Sequence, residues 1–356
     1  MSGWNLARND ILSLRGYRAA EQIADSVRLN ANEAPRPIAA SQTGVGLNRY
    51  PDVHPVKLQE RMADLFAVPS ENLLVTRGSS EGIDLLVRAF CTANRDNVIT
   101  PIPTFEMYRF FADVQGVEQR EIQLDPKQDF LLDTDAVLEQ CDDKTKLIFV
   151  CSPNNPTGGL VAKSAIEKLL QARRDRSIVV VDEAYVEFSD QASLAAATSK
   201  YDNLVILRTL SKAHALAGAR CGAAIACPDL IDVFCRVLPP YSFSTPVIDS
   251  VMNALDDEGI GNSTIAIEEI IAERGRVFQD IAGYSCVDHV WPSQANFLLV
   301  KFADMADLQN FLLSKRILIR DFSNEPGLLN CARITIGSVD ENNALLNALA
   351  TYSAAG

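Results

Sequence analysis

Residues 177–185 read SIVVVDEAY. Four β-branched residues in a row, Ile178 to Val181, make a short apolar run with no polar alternation, and Asp182 closes it. A strand with one wet face would alternate, so this one predicts cover on both faces, as in a parallel sheet. A carboxylate ending such a strand must be paired or hydrogen-bonded, because an unpaired buried charge is expensive. An ion pair, a helix cap or a bound ligand would each satisfy it.

Two more segments have the same character, KLIFVCS (146–152) and NLVILRTLS (203–211). Amphipathic helices lie between the strands. In EGIDLLVRAFC, Ile83, Leu86, Val87 and Phe90 fall at i, i+3, i+4 and i+7, and SAIEKLLQARR (164–174) repeats the pattern with Ile166, Leu169 and Leu170. Alternation of this kind from about residue 56 to 245 predicts an α/β domain with a mostly parallel central sheet. Its ligands should gather at the carboxyl ends of the strands. Beyond residue 245, IEEIIAERGRVFQDI (267–281) and DENNALLNALATY read as helices, while NFLLVKF (296–302) and ARITIG (332–337) read as strands. They predict a smaller α+β domain. The expected organisation is an N-terminal arm over 1–37, a large domain over 38–245 and a small domain over 246–356.

Composition narrows the function classes. A length of 356 residues suits two domains, and a formal net charge of −13 opposes nucleic-acid binding, which needs basic patches. The opening MSGWNLARNDILSLRGY has no apolar h-region and no run approaches a membrane span, so a cytoplasmic protein is expected. Eight cysteines without a Cys-x-x-Cys pair, and three scattered histidines, predict reduced thiols and no metal site.

Three features fall just past strands. SPNNPTGG (152–159) is a turn rich in Asn, Pro and Gly; Asp182 closes its strand, with Tyr185 three residues on; Lys212 follows the strand ending at Thr209. Taken singly, each has an ordinary reading as a tight turn, a structural ion pair or a solvated amine. Together they match the needs of pyridoxal phosphate: an acid for a ring N–H, Asn155 and Tyr185 for a phenolate, and a lysine for a Schiff base. The cofactor's phosphate also needs donors. TRGSSEGIDLL (76–86) offers a glycine turn and two serines at a helix start, where free N–H groups and the helix dipole favour an anion. Simple N-capping by Ser79 or Ser80 would explain the same residues. Thr209, Ser211 and Arg220 could complete the cradle, the guanidinium by bidentate contacts.

With these residues the chain resembles the fold-type I pyridoxal-phosphate-dependent aminotransferases. The segments that carry the resemblance span most of the sequence: LNANEAPRP (29–37), LNRYPD (47–52), RGSSEGIDLLVRAF (77–90), CSPNNPTG (151–158), VVDEAY (180–185), RTLSKAHALAGARCG (208–222) and ARITIG (332–337). LNRYPD together with RTLSKA and LAGARCG is the most specific part, and is similar to the branch that acts on histidinol phosphate. The resemblance implies a ping-pong transamination between histidinol phosphate and 2-oxoglutarate that yields glutamate, in histidine biosynthesis.

It also implies roles. Lys212 holds the cofactor as a Schiff base, Asp182 binds the ring nitrogen, and Asn155 and Tyr185 bind the phenolic oxygen. Ser79, Ser80, Thr209, Ser211 and Arg220 hold the phosphate. Phe105 stacks on the ring where a tyrosine is common, and so lacks that tyrosine's hydroxyl. Tyr50 reaches the neighbouring subunit's phosphate site, implying a homodimer with shared sites. Arg333, Arg320, Tyr17 and Asn155 receive the substrate, the arginines taking its phosphate or glutamate's carboxylate, and Glu33 lies over the site. An aromatic amino-acid aminotransferase and a threonine-phosphate decarboxylase share much of this pattern. A ligand-sensing domain of a transcription regulator shares the fold, but needs a DNA-binding domain for which the arm is too short.

Overall fold

The computed structural model of the chain describes residues 3–17 and 27–355; the arm expected over 1–37 therefore lies partly outside the described residues. A seven-stranded sheet is built from β1 (Leu73–Thr76), β2 (Asn97–Ile102), β3 (Glu118–Gln123), β4 (Thr145–Cys151), β5 (Ile178–Asp182), β6 (Leu204–Thr209) and β7 (Gly222–Ile225). Their order is β1-β7-β6-β5-β4-β2-β3, and every pairing is parallel except the two made by β7. The fold class is the expected α/β one.

The unbroken apolar runs follow from cover on both faces. Along β5, Ile178 and Val180 join one core cluster, whereas Val179 and Val181 join the other. The first face is covered by the helices Gly78–Phe90, Met107–Gln115 and Pro228–Val237, the second by Val56–Phe66, Lys163–Ala172 and Thr245–Ala254. The same alternation sends Phe149 and Cys151 of β4 to the first face, and Asp182, two residues past Val180, points the same way. Gly82 allows the Gly78–Phe90 helix to sit close on the sheet, since a Cβ there would meet Leu207 Cδ2 at 2.7 Å.

A second, antiparallel sheet has the order β10-β11-β9-β8, with β8 (Val287–Val290), β9 (Phe297–Phe302), β10 (Arg320–Asp321) and β11 (Cys331–Thr335). One side is closed by the helices Asp257–Ile281, Met305–Ser314 and Val339–Ala355 over a separate core. The helix expected at 267–281 begins ten residues earlier, at Asp257, where the Asp256 side chain caps Gly259 N. Gly259 and Gly261, poor helix formers, hide that start from a propensity reading. Among the described residues no helix is long and apolar enough to cross a membrane.

Candidate active site

The carboxyl ends of β4, β5 and β6 lie side by side, with Cys151 opposite Asp182 and Asp182 opposite Leu207. A cavity opens above them. Its wall includes Ser79, Ser80, Phe105, Asp182, Tyr185, Thr209, Ser211, Lys212 and Arg220, so nine residues singled out from sequence converge. Strand ends bring them together: Asp182 and Thr209 close their strands, Ser79, Phe105, Tyr185 and Lys212 follow theirs by three residues, and Arg220 stands two residues before β7.

One end of the cavity is rich in donors. The Gly78–Phe90 helix starts there, with Ser79 and Ser80 in its first turn. Neither serine caps it: Arg77 occupies the cap position, and its backbone N–H donates to Glu81 instead. The capping alternative therefore does not explain the two serines. Arg220 Nη1 donates to Ser211 Oγ at 3.2 Å, and Thr209 Oγ1 to Ser211 Oγ at 3.0 Å. Gly78 holds a φ of +73° directly against Arg220, and a Cβ would approach its Nη2 to 2.8 Å. Glycine at 78 thus both turns the chain and leaves room for the guanidinium. A helix N-terminus, two hydroxyls and a guanidinium directed into one concavity suit a phosphate.

Asp182 lines the same cavity and is 2% exposed. Burial raises its pKa to about 6, against the pull of hydrogen bonds from Tyr108 and from the Ala184 N–H. Lys212 lines it too, its Nζ 5.6 Å from the centre of the Tyr185 ring. The side chain is accessible through the open cavity, yet enough protein surrounds the amine that burial pushes its pKa down. Arg333 and Arg220 add to that effect, while Asp182 opposes it. Burial likewise pushes the Tyr185 hydroxyl up.

A second chamber adjoins the first across Phe105. It is bounded by Thr104, Glu106, Asn155, Arg320, Phe322 and Arg333. Arg320 and Arg333 are directly opposed across β10 and β11. Like charges in that position repel, so their pairing makes sense where an anion is to be received. Arg333 Nη1 donates to Asn155 Oδ1 at 2.5 Å, which assigns the Asn155 carbonyl to Arg333 and its amide N–H to the other side. Glu106 Oε1 lies 4.0 Å from Arg320 Nη2.

Tyr17, Tyr50 and Glu33 do not line either chamber of this chain. The Tyr50 ring lies 4.8 Å from that of Tyr241, which meets Tyr17 at 6.3 Å. Glu33 is engaged by Arg28 at 2.6 Å, Arg49 at 2.7 Å and the Tyr50 N–H at 2.9 Å. His214, two positions past Lys212, points instead toward a buried group formed by Glu183, Glu187 and Arg208. Sequence reasoning missed Tyr108, Glu106 and Tyr241. For Tyr108 a signal existed: Phe105 and Tyr108 are spaced i, i+3 in PTFEMY.

The chain matches a model of the class I and II aminotransferases over residues 4–349. It is 42% identical to the histidinol-phosphate aminotransferase of Serratia proteamaculans over 100% of this chain and 98% of that protein. Identity to the enzyme of the same name from Pectobacterium carotovorum is 41%, over 97% and 96% of the two chains. Among solved structures it is similar to histidinol-phosphate aminotransferase from Clostridium acetobutylicum (TM-score 0.78, 24% identity, 87% of this chain and 92% of that one). The Sinorhizobium meliloti enzyme, solved in complex with pyridoxal-5'-phosphate, gives a TM-score of 0.76 at 22% identity over 87% and 84%. Full-length similarity to these enzymes, and a lysine, an acid and an anion cradle meeting at three strand ends, have one reading: the chain belongs to the class I and II aminotransferases.

Proposed function

We propose that this aminotransferase passes an amino group between L-histidinol phosphate and 2-oxoglutarate, forming imidazole-acetol phosphate and L-glutamate, with pyridoxal phosphate as cofactor. The observation that carries the substrate is the 42% identity, over the whole chain, to a histidinol-phosphate aminotransferase. The opposed Arg320 and Arg333 support it independently, because a phosphate ester is the kind of anion two guanidiniums suit.

The residues present fit the cofactor. Ser79, Ser80, Thr209, Ser211 and Arg220 would hold its phosphate, Asp182 its ring nitrogen, Asn155 and Tyr185 its phenolic oxygen, Phe105 a ring face and Lys212 its carbonyl carbon. Bound there, pyridoxal phosphate supplies a carbon that takes up the amino group and a ring that withdraws electrons from the substrate Cα. Lys212, whose amine burial makes easier to deprotonate, takes the proton from the substrate Cα and delivers it to the cofactor carbon that receives the amino group. Asp182 stays an acceptor for the ring N–H. Arg320 and Arg333 bind the phosphate of one substrate and the carboxylate of the other, which lets one site serve both half-reactions.

A homodimer with shared sites belongs to the same proposal. Tyr17 and Tyr50 are 62% and 50% exposed and do not line their own cavity, as expected of side chains that serve a partner's site. We also retain the division into arm, large domain to residue 245 and small domain, and a cytoplasmic setting.

The test is a single half-reaction. Cofactor-loaded protein is mixed with histidinol phosphate without 2-oxoglutarate, and the visible absorbance is followed beside parallel reactions with L-phenylalanine and L-threonine O-3-phosphate. Bleaching fastest with histidinol phosphate is expected. Preference for phenylalanine, or carbon dioxide release from threonine phosphate, would replace the assignment with the corresponding rival.

A further inference from the structure

Asp182 meets the cavity already held by two donors, one of which has no assigned part in the reaction. The Ala184 N–H reaches Oδ1 at 3.1 Å, and the Tyr108 hydroxyl reaches Oδ2 at 3.0 Å. Tyr108 comes from the Met107–Gln115 helix, 74 positions away in sequence, and is wholly buried. Its ring stacks on Phe149, with centroids 4.7 Å apart and planes 11° apart, and meets the edge of Phe105 at 5.8 Å. Packing of this kind leaves the phenol one rotamer. A phenol has a single proton to give and an ionised carboxylate only accepts, so the bond runs one way.

We propose that Tyr108 is a positioning residue of the transamination: its hydroxyl fixes the orientation of Asp182 and keeps that carboxylate an acceptor for the cofactor's ring nitrogen. The geometry joins two tasks in one helical turn, since Phe105 faces the cavity and Tyr108, one turn on, supports the acid beneath it. The tyrosine also answers a physical problem. Burial alone favours the neutral acid, which would offer a proton where an acceptor is required, and a hydrogen bond to the charged form opposes that. The Tyr108 bond is the largest influence acting against burial at Asp182. The inference rests on the pyridoxal-phosphate reading for its function, though the Tyr108–Asp182 link can be tested without cofactor.

Tyr108→Phe keeps the ring and removes only the hydroxyl. In the cofactor-free protein, the carboxyl band of the buried acid is titrated by infrared difference spectroscopy, with Asp182→Asn identifying the band. Loss of a hydrogen bond to a charged group should move the Asp182 midpoint up by about one to two pH units. In the loaded enzyme kcat should fall by about tenfold, the rate equivalent of one pH unit at Asp182, with KM for both substrates essentially unchanged. A midpoint that stays where it is in Tyr108→Phe overturns the inference, because a packing role alone would not move it. If Tyr108→Phe fails to fold, the unmutated protein is titrated and read by tyrosine ultraviolet difference absorbance. A perturbation at the Asp182 midpoint that vanishes in Asp182→Asn is expected, and its absence overturns the link. Should the unmutated protein take up pyridoxal phosphate without a visible band, the cofactor reading fails while the apo titration still decides the link.

Discussion

At Asp182, burial and function pull in opposite directions, and the conflict has a pH signature. Its folded pKa, about 6, stands above the ordinary 3.8. Well below pH 3.8 the acid is protonated whether the chain is folded or not, so it takes nothing from stability. As pH rises toward 6 the unfolded chain ionises freely while the folded one resists, and stability is lost. Two units correspond to about 3 kcal/mol. Cofactor-free protein should therefore lose more thermal stability between pH 4 and pH 7 than Asp182→Asn does; parallel melting profiles for the two would refute this. Lys212→Ala should lower transamination by at least about 10³-fold, toward the upper range for a positioned base, with the melting temperature nearly unchanged. The sequence made Lys212, Asp182 and Arg220 legible because each sits within a few residues of an apolar strand end. It left the partner of Tyr108 illegible, since that is set by which helix covers which face.

Among the elements, the short β10–β11 pairing has the clearest consequence. Two arginines opposed across neighbouring strands repel, and Glu106 at 4.0 Å is the carboxylate that partly relieves Arg320. An incoming anion must compete with it. Glu106→Gln should tighten competitive inhibition by inorganic phosphate by up to about fivefold, the range of an exposed ion pair, and the gain should shrink with added salt. An inhibition constant that weakens instead would mean that Glu106 contacts the substrate directly. Arg320→Gln should raise KM for histidinol phosphate by about tenfold or more, as loss of a charge-assisted contact predicts. The strand-borne arginines could be seen in ILIRD and ARITIG, but not their opposition, which depends on a register between segments with no shared local signal.

For the whole molecule, the exposed tyrosines carry the prediction. Val27, Leu29 and Ile38 are exposed in the segment that leads to Tyr50. If Tyr50 completes the neighbouring site, mixing inactive Lys212→Ala and Tyr50→Ala proteins should restore activity. Random exchange gives mixed dimers with one intact site each, about a quarter of the unmutated activity for a twofold assembly. No recovery on mixing, with exchange verified by sedimentation, would place Tyr50 outside the site. What the sequence determined by itself was everything that acts at short range. β-branched runs without alternation specify strands covered on both faces, and helical periods specify the cover. A glycine turn ahead of a helix specifies free backbone N–H groups at a strand end, and a lysine or acid at a strand end lies where such sheets bind ligands. Only the tertiary structure decided the contacts between distant segments: Tyr108 on Asp182, Arg333 on Asn155, and Arg320 opposite Arg333. The physical reason is that local patterns select an element and its buried face, whereas packing and register choose which side chain meets which.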